Sequence, residues 1–378
     1  MDKNCIYLDY SADTPVDEAV LDCYCDIVRR FPANPNSAHS LGRDAKNIID
    51  NSIAKVADLL GVKQTEIIFT SGASEANNLA IKGFAHANRR RGKHIISTFL
   101  EHSSVSGALT FLQEQGYEIN LVNILPNGTV DLQHFKKLLR EDTILAAICA
   151  VDSELGTIQP IAQIAEILRD YPNCRFHVDA AQAIGKTNLN FDGVDSVSFA
   201  PHKFYGLKGC GVLYKRDGAV LEPLIHGGVS TTIYRSGTPD PAMSAACLKA
   251  LETAINKLDK RFEYTSKLNQ FLRKRLSENP LVQINSPENS VPHILNLSVN
   301  GIKAEDMRIA LNEKGVCISV KSACSVPNTP SRAVYAITHN RKTSLSSWRI
   351  SLSHLTTIDE LEQFLRILEE CIQELIKN

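Results

Sequence analysis

The feature that most limits the possible folds is an alternation of short strand-like runs and helical periods between Glu66 and Phe199. Glu66-Ile67-Ile68-Phe69-Thr70, His94-Ile95-Ile96-Ser97-Thr98, Glu118 to Val122, Thr143 to Val151, Arg175-Phe176-His177-Val178 and Val194 to Phe199 read as strands. Helices are predicted from the Ser71–Glu75 turn to about Arg91, from near His102, over Asp131 to Leu139 and over Ile161 to Asp170. Alternation sustained over about 130 residues implies a mostly parallel sheet with helices on both faces, an α/β fold. Ligands on such a sheet bind at the strand C-terminal ends, where Ser71–Ser74, His102, Ser153, Asp179 and Lys203 would gather.

The flanking segments read differently. Ile6-Tyr7-Leu8-Asp9-Tyr10 is a small strand or arm, Asp17 to Phe31 a helix capped by Asp17, Pro32 to His39 a loop, and Ser40 to Leu60 a helix stopped by Gly61. After Gly209-Cys210-Gly211-Val212-Leu213-Tyr214 comes a Gly-rich loop, His226-Gly227-Gly228 to Arg235-Ser236-Gly237-Thr238-Pro239. A long amphipathic helix is predicted over Pro241 to Ser277. Beyond Leu281, strands at His293–Val299, Cys317–Val320 and Trp348–Leu352 mix with helices at Ala304–Lys314 and Ile358–Ile376, which suits a smaller α+β domain. The expected division is a large domain over 15–255 and a small domain from 1–14 and 256–378, and a chain of 378 residues accommodates both.

Charge and apolar runs exclude several classes of function. Lys+Arg 41 against Asp+Glu 42 leaves a net charge of -1, so no global field favours nucleic acid or an anionic membrane. The longest apolar run, Ile144 to Val151, is far too short to span a bilayer. Met1-Asp2-Lys3-Asn4-Cys5 lacks a basic region followed by an apolar stretch, which predicts a cytoplasmic protein. The 10 cysteines show no paired metal spacing and no Cys-x-x-Cys, so a reducing compartment without a disulfide framework is expected, and no metal site. Most sit in apolar runs. Cys324 is the exception, in the polar, Pro-rich Ser322-Ala323-Cys324-Ser325-Val326-Pro327-Asn328-Thr329-Pro330, where a thiol can ionise and attack. An incidental exposed cysteine is the alternative.

Asp179 closes one strand, and Ala200-Pro201-His202-Lys203-Phe204-Tyr205-Gly206 follows the end of another. A lysine amine and a carboxylate at neighbouring strand ends are what a pyridoxal cofactor needs: one to form a Schiff base, the other to keep the pyridine nitrogen protonated. Separately, each has an ordinary reading, Lys203 as a solvated loop lysine and Asp179 as a helix cap. Thr70-Ser71-Gly72-Ala73-Ser74-Glu75 leads from a strand into a helix N-terminus through small residues, a setting that favours phosphate; a helix start capped by Ser71 or Ser74 is the alternative. His102 could stack on a flat ring, or cap a helix. Gln182 could reach a ring oxygen, and His202 the phosphate. Arg349, between Trp348 and Ile350, needs a partner: a substrate carboxylate, or a structural ion pair with Asp or Glu.

Taken together, these residues carry a resemblance. Thr70-Ser71-Gly72-Ala73-Ser74-Glu75, Glu101-His102, Glu154-Leu155-Gly156, His177-Val178-Asp179-Ala180-Ala181-Gln182, His202-Lys203-Phe204-Tyr205-Gly206, Arg235-Ser236-Gly237-Thr238, Ser322-Ala323-Cys324 and Arg349-Ile350-Ser351-Leu352 stand in the order and spacing of the cysteine desulfurases. Those are fold-type I pyridoxal 5'-phosphate enzymes of the class V aminotransferase family, and the likeness runs from Tyr7 to the last helix. The resemblance implies a large domain with a seven-stranded, mostly parallel sheet sandwiched by helices, plus a smaller α+β domain. It implies that Lys203 holds the cofactor and shuttles protons, Asp179 pairs with the ring nitrogen, Gln182 and Ser153 approach the ring oxygen, and His102 stacks on the ring. Ala73, Ser74 and His202 would bind the phosphate, with Thr238 reaching across from the partner of a homodimer. Asn34 and Arg349 would hold the carboxylate of L-cysteine. Cys324 would take the sulfur as a persulfide, releasing L-alanine. A sulfur-acceptor protein, a scaffold for iron-sulfur cluster assembly or a tRNA-thiolation enzyme, would then receive it.

Several positions depart from that pattern. Asp152-Ser153 stands where the family has Asn-Asn, Ala200 replaces a phosphate-binding Ser, and Lys321 replaces a Gly, placing a cation near Cys324. Ser230-Thr231-Thr232 replaces charged residues, and the run from Cys324 to Pro330 is short. Two alternatives follow: another class V enzyme, such as an aminotransferase or selenocysteine lyase, and a weakly active scaffold that binds a partner.

Overall fold

The computed structural model describes residues 5–321 and 329–377. The first part of the chain runs β1 (Ile6–Tyr7), α1 (Glu18–Arg30), α2 (Ser40–Leu60), β2 (Ile67–Thr70), α3 (Ala73–Asn88), β3 (His94–Thr98), α4 (Ser103–Glu114), β4 (Glu118–Val122), α5 (Leu132–Leu138), β5 (Thr143–Cys149), α6 (Ile161–Leu168), β6 (Arg175–Asp179), β7 (Ser196–Phe199) and β8 (Gly211–Lys215). Seven of these strands form one sheet in the order β2-β8-β7-β6-β5-β3-β4. The pairs β4–β3, β3–β5, β5–β6 and β6–β7 are parallel, and β8 lies antiparallel between β7 and β2. The α/β fold expected from the alternation is the one observed.

The central strand shows why. Every residue of β5 is buried, and its side chains part with the strand period of two. Leu145 and Ala147 join a core with Leu79 and Phe84 of α3 and Leu112 of α4. Ala146 and Ile148 join the opposite core, with Ile164 and Leu168 of α6. A strand covered on both faces must be apolar throughout, and that is how Ile144 to Val151 reads.

The chain continues through α7 (Pro241–Asn256), α8 (Leu258–Leu276), β9 (Val282–Ile284), β10 (Ile294–Val299), α9 (Ala304–Glu313), β11 (Val316–Cys317), α10 (Arg332–Thr338), α11 (Arg341–Leu345), β12 (Ser347–Ser351) and α12 (Ile358–Lys377). Strands β12-β10-β9 make an antiparallel sheet, and β1 pairs with β11 in parallel. The single helix expected over Pro241 to Ser277 is two, broken at Lys257 (φ -105, ψ 5). Ala246, Ala250 and Leu251 of α7 pack into the core of the large sheet, whereas Leu268, Leu272 and Leu276 of α8 pack with β10, β12 and α12. Both halves keep the helical period, so the change of partner leaves no mark in the sequence pattern. The strand expected at Cys317–Val320 is shorter and earlier, because Ser319 already turns to bridge Arg349. The short helices α10 and α11 were not anticipated.

One segment joins the two cores. Ser351 donates its N–H to Leu8 O at 2.7 Å, Thr14 to His202 O at 3.1 Å and Asp17 to Tyr205 O at 2.9 Å. Residues 8–17 therefore cross from the small sheet to the turn after β7. No helix among the described residues is long and apolar enough to cross a membrane.

Candidate active site

A cavity of about 420 Å³ opens at the strand ends and is lined by Ala73, Ser74, His102, Ser153, Asp179, Gln182, His202, Lys203 and Arg349. Nine residues singled out in the sequence thus meet in one place. Asn34 and Thr238 are exposed and do not line it. Asn34 instead accepts the N–H of Asn36 at 2.9 Å in its own turn. Cys324 lies outside the described residues. The residues flanking its segment are tied together, Lys321 Nζ donating to Thr329 O at 2.5 Å and Oγ1 at 2.8 Å.

Lys203 is aimed by a tight turn. Pro201 ends β7 and opens a single 3-10 turn through Lys203, and the N–H of Gly206 returns to Pro201 O at 2.8 Å. Tyr205 takes a left-handed conformation (φ 73), and a Cβ on Gly206 would stand 2.3 Å from that of Pro201. The amine donates to Ser11 O at 2.9 Å and Ala12 O at 2.7 Å, so it is not a solvated loop lysine. Burial first, then the Arg349 charge, pushes its pKa down to about 8. A larger share of neutral amine, able to attack a carbonyl, is therefore present near neutral pH.

Asp179 ends β6 and is followed by turns rather than a helix, so it is not a helix cap. Its Oδ1 accepts from Ala181 N at 3.0 Å and its Oδ2 from Asn77 Nδ2 at 2.8 Å. Gln182 Nε2 donates to Ser11 O at 2.9 Å, while its Oε1 accepts from Lys186 Nζ at 2.8 Å. Both partners fix the same amide orientation, since a carbonyl can only accept.

The helix start offers anion-binding groups. Gly72 caps α3 without a side-chain bond. Neither serine acts as the cap; Ser71 N donates to Glu75 Oε2 at 2.7 Å, and Glu75 is held by Arg235 Nε at 3.0 Å. The first-turn amides of Ala73 and Ser74 stand at the cavity with the positive end of the helix dipole. Burial, then Lys203, pushes His202 down to about 4, so it is neutral here. Ala200 is fully buried and does not line the cavity.

Arg349 on β12 shows the ion pair that was one of its two readings. Its Nη2 donates to Asp9 Oδ1 at 2.9 Å and its Nη1 to Ser153 O at 2.6 Å, while its Nε is buried without a partner among the described residues. The unfilled Nε–H leaves capacity for a carboxylate. Behind the cavity lie buried acids: burial raises Glu101 to about 8 and Asp152 to about 7.

Sequence reading missed Asn77, Ser104, Lys186 and the Ser11 and Ala12 carbonyls. Asp9 stood in the Ile6–Tyr10 strand or arm but without a role. The others gave no local signal, because two are backbone atoms and the rest sit inside ordinary helical or turn patterns.

The donor set fits pyridoxal phosphate: an amine, a carboxylate, an amide N–H and an uncapped helix start converge on one cavity. Together with the sheet order, they define a fold-type I pyridoxal-phosphate enzyme. The family model described as Aminotransferase class-V matches residues 6–364, and the chain belongs to that family, in its cysteine desulfurase branch. It is 38% identical to "Cysteine desulfurase IscS" of Dictyoglomus turgidum, over 99% of this chain and 96% of that one. It is also 38% identical to the protein of that name from Pseudoalteromonas translucida, over 98% and 93%. Among solved structures, a "NIFS-LIKE PROTEIN" superposes with a TM-score of 0.92 at 33% identity, covering 98% of this chain and 100% of that one. "SspA in complex with cysteine" superposes at 0.80 and 33% identity, covering 92% and 98%.

Proposed function

We propose that the chain converts L-cysteine to L-alanine and holds the released sulfur as a persulfide on Cys324 for transfer to an acceptor protein. The observation that carries this reading is the meeting of Lys203, Asp179, Arg349 and the uncapped α3 start in one cavity. A bound cysteine in one similar structure supports the substrate. When bound, pyridoxal phosphate supplies an electron sink next to the substrate carbons. Asp179 would hold the ring nitrogen and keep it protonated, Gln182 would donate to the ring oxygen, and the Ala73 and Ser74 amides with His202 would hold the phosphate. Arg349 takes the substrate carboxylate. Lys203 carries a proton to and from the substrate carbon. The Cys324 thiolate attacks the substrate sulfur; an S–S bond forms, the carbon–sulfur bond breaks, and the carbon takes a proton.

A homodimer belongs to the reading. The loop over 225–238 exposes Val229 (76%) and Ile233 (67%), apolar surface that a second copy would cover while Thr238 reached that copy's phosphate. The separate core that joins Ile6 and Leu8 to α8, β10, β12 and α12 supports a small domain from 1–14 and 256–378 beside a large one over 15–255, with Val291, Ile294, Ala333 and Val334 packing across into the large core. Nine free cysteines among the described residues suit a reducing, cytoplasmic setting, with iron-sulfur assembly or tRNA thiolation as the outlet.

The test is alanine release from L-cysteine with a thiol acceptor. Wild type should release alanine, Lys203→Ala none, and Cys324→Ala less than one hundredth of wild type. Full turnover in Cys324→Ala would sink the persulfide step.

A further inference from the structure

We propose that Asn77 is a positioning residue that joins Asp179 and His102 into one hydrogen-bonded unit and holds His102 as a neutral imidazole with its proton on Nε2. The proposal rests on the reading above for its catalytic meaning, but the tautomer follows from the geometry alone.

Asn77 is fully buried in the second turn of α3. Its Nδ2 lies 2.8 Å from Asp179 Oδ2 and 2.9 Å from Ser104 Oγ. Both Asp179 oxygens act as acceptors, Oδ1 from the Ala181 N–H and Oδ2 from Asn77, so the amide nitrogen faces the carboxylate. The amide oxygen then accepts from Ser198 Oγ and from His177 Nε2, the latter at 2.9 Å. His177 must carry its proton on Nε2, and its Nδ1 accepts from Ser196 Oγ at 2.8 Å. Burial pushes His177 down to about 4, so it stays neutral and keeps this arrangement. Asn77 has no rotational choice left.

That choice is passed on to His102. Ser104 Oγ already accepts from Asn77, so its one hydrogen is free for His102 Nδ1 at 2.8 Å. The backbone N–H of Ser104 points at the same nitrogen from 3.2 Å. A nitrogen that accepts from both donors carries no proton. Burial lowers the His102 pKa, with Lys203 acting in the same sense and Asp179 against it. The one ring proton is therefore on Nε2, and His102 meets the contents of the cavity it lines as a hydrogen-bond donor. Asn77 thereby links the group that holds the ring nitrogen to the group that covers the ring.

The test reads the imidazole directly. In cofactor-free protein labelled with 15N-histidine, the His102 signal is assigned by its loss in His102→Gln. Wild type should show Nδ1 as an acceptor and Nε2 protonated. Ser104→Ala and Asn77→Ala should weaken the acceptor signature of Nδ1, which keeps only the backbone N–H of residue 104 as an assured donor, and raise the His102 titration by roughly one unit, because a bond to the neutral form is lost. Ser104→Thr, which keeps the hydroxyl, should restore the wild-type signal. In the loaded enzyme, Ser104→Ala should lower kcat at least tenfold with KM for cysteine little changed, since Arg349 is untouched. Proton on Nδ1 in wild type, or an unchanged His102 signal in Ser104→Ala, overturns the proposal. Ser104→Ala keeps the test open should Asn77→Ala not fold. Absence of alanine release by wild type would defeat the functional reading while leaving the tautomer result standing.

Discussion

Arg349 Nη2 lies 2.9 Å from Asp9 Oδ1, across 340 positions of sequence, and the same aspartate accepts from Ser319 Oγ at 2.9 Å through Oδ2. Asp9 thus braces the arginine proposed to hold the substrate carboxylate. Removing one partner of a buried pair costs on the order of 3–5 kcal/mol, and less where one partner reaches solvent; Asp9 is 18% exposed and Arg349 2%. Asp9→Asn keeps an acceptor but not the charge. It should lower thermal stability and raise KM for cysteine about tenfold, on the order of 1.4 kcal/mol. Steady-state kinetics with a melting curve decides; an unchanged KM would remove Asp9 from the site.

What the sequence reveals here depends on whether a role is local. Asp179 and Lys203 stand out because each is a charged residue at the end of an apolar run, a break in pattern visible in a few residues. The Ser71–Glu75 turn is visible for the same reason. Asn77 is not, because an asparagine in a helix carries no sign of what it faces, and its partners Ser104, His177, Asp179 and Ser198 come from three other elements, α4, β6 and β7. The Ser11 and Ala12 carbonyls that receive the Lys203 amine are backbone atoms, identical in any sequence. The break at Lys257 is hidden because the apolar period survives it while the packing partner changes. Arg349 was legible only as a residue in need of a partner. The partner, Asp9, is fixed by the crossing of residues 8–17 between two cores.

The Lys203 amine titrates near pH 8 because its interior position disfavours the charged form and Arg349 adds to that. Its folded pKa is depressed, so between about 8 and 10.5 the unfolded chain holds more protons than the native one. This group therefore makes stability rise with pH across that window, with its penalty fully present below pH 8. The same value governs reactivity. The rate of pyridoxal phosphate uptake by cofactor-free protein should climb with an inflection at about pH 8, and Arg349→Gln should move that inflection upward. Stopped-flow absorbance from pH 6 to 10 reads it. An inflection at the ordinary lysine value would contradict the interior placement of the amine.

Gly211 opens β8 against the α3 turn, where an added Cβ would lie 2.3 Å from Gly72 C and 2.6 Å from its O. Both are backbone atoms of the turn that presents the Ala73 and Ser74 amides. Gly211→Ala should displace those amides and weaken binding of the cofactor at least tenfold, with a lower melting temperature. Exposed Gly107 in α4 has open space around it, so Gly107→Ala should stabilise by about 0.5–1 kcal/mol and leave cofactor affinity alone. Fluorescence titration of both variants separates a local from a general glycine effect. Equal affinities for the two would show that the turn does not depend on that contact.

Glu101 is 5% exposed, and only its Oε1 is engaged, accepting from Thr98 Oγ1 at 2.7 Å and Cys149 N at 3.0 Å. Its Oε2 is buried without a partner among the described residues. Burial is the main cause that raises its pKa to about 8, opposed by those two bonds and aided by Asp179 and Asp152. A raised carboxyl contributes stability that is complete below the unfolded value and is lost as pH rises through the folded one. Wild-type protein should therefore lose stability from this group between about pH 4.5 and 8. Glu101→Gln keeps an oxygen for Thr98 and Cys149 but cannot ionise. Its melting temperature relative to wild type should increase by at least ~2 °C from pH 5 to pH 8.5, as expected for about 1 kcal/mol in a chain of this size. Asp152 titrates in the same direction in both proteins and cancels in the difference to first order. Melting curves in matched buffers measure that difference, and a constant offset at every pH would mean that Glu101 is ionised in the native state.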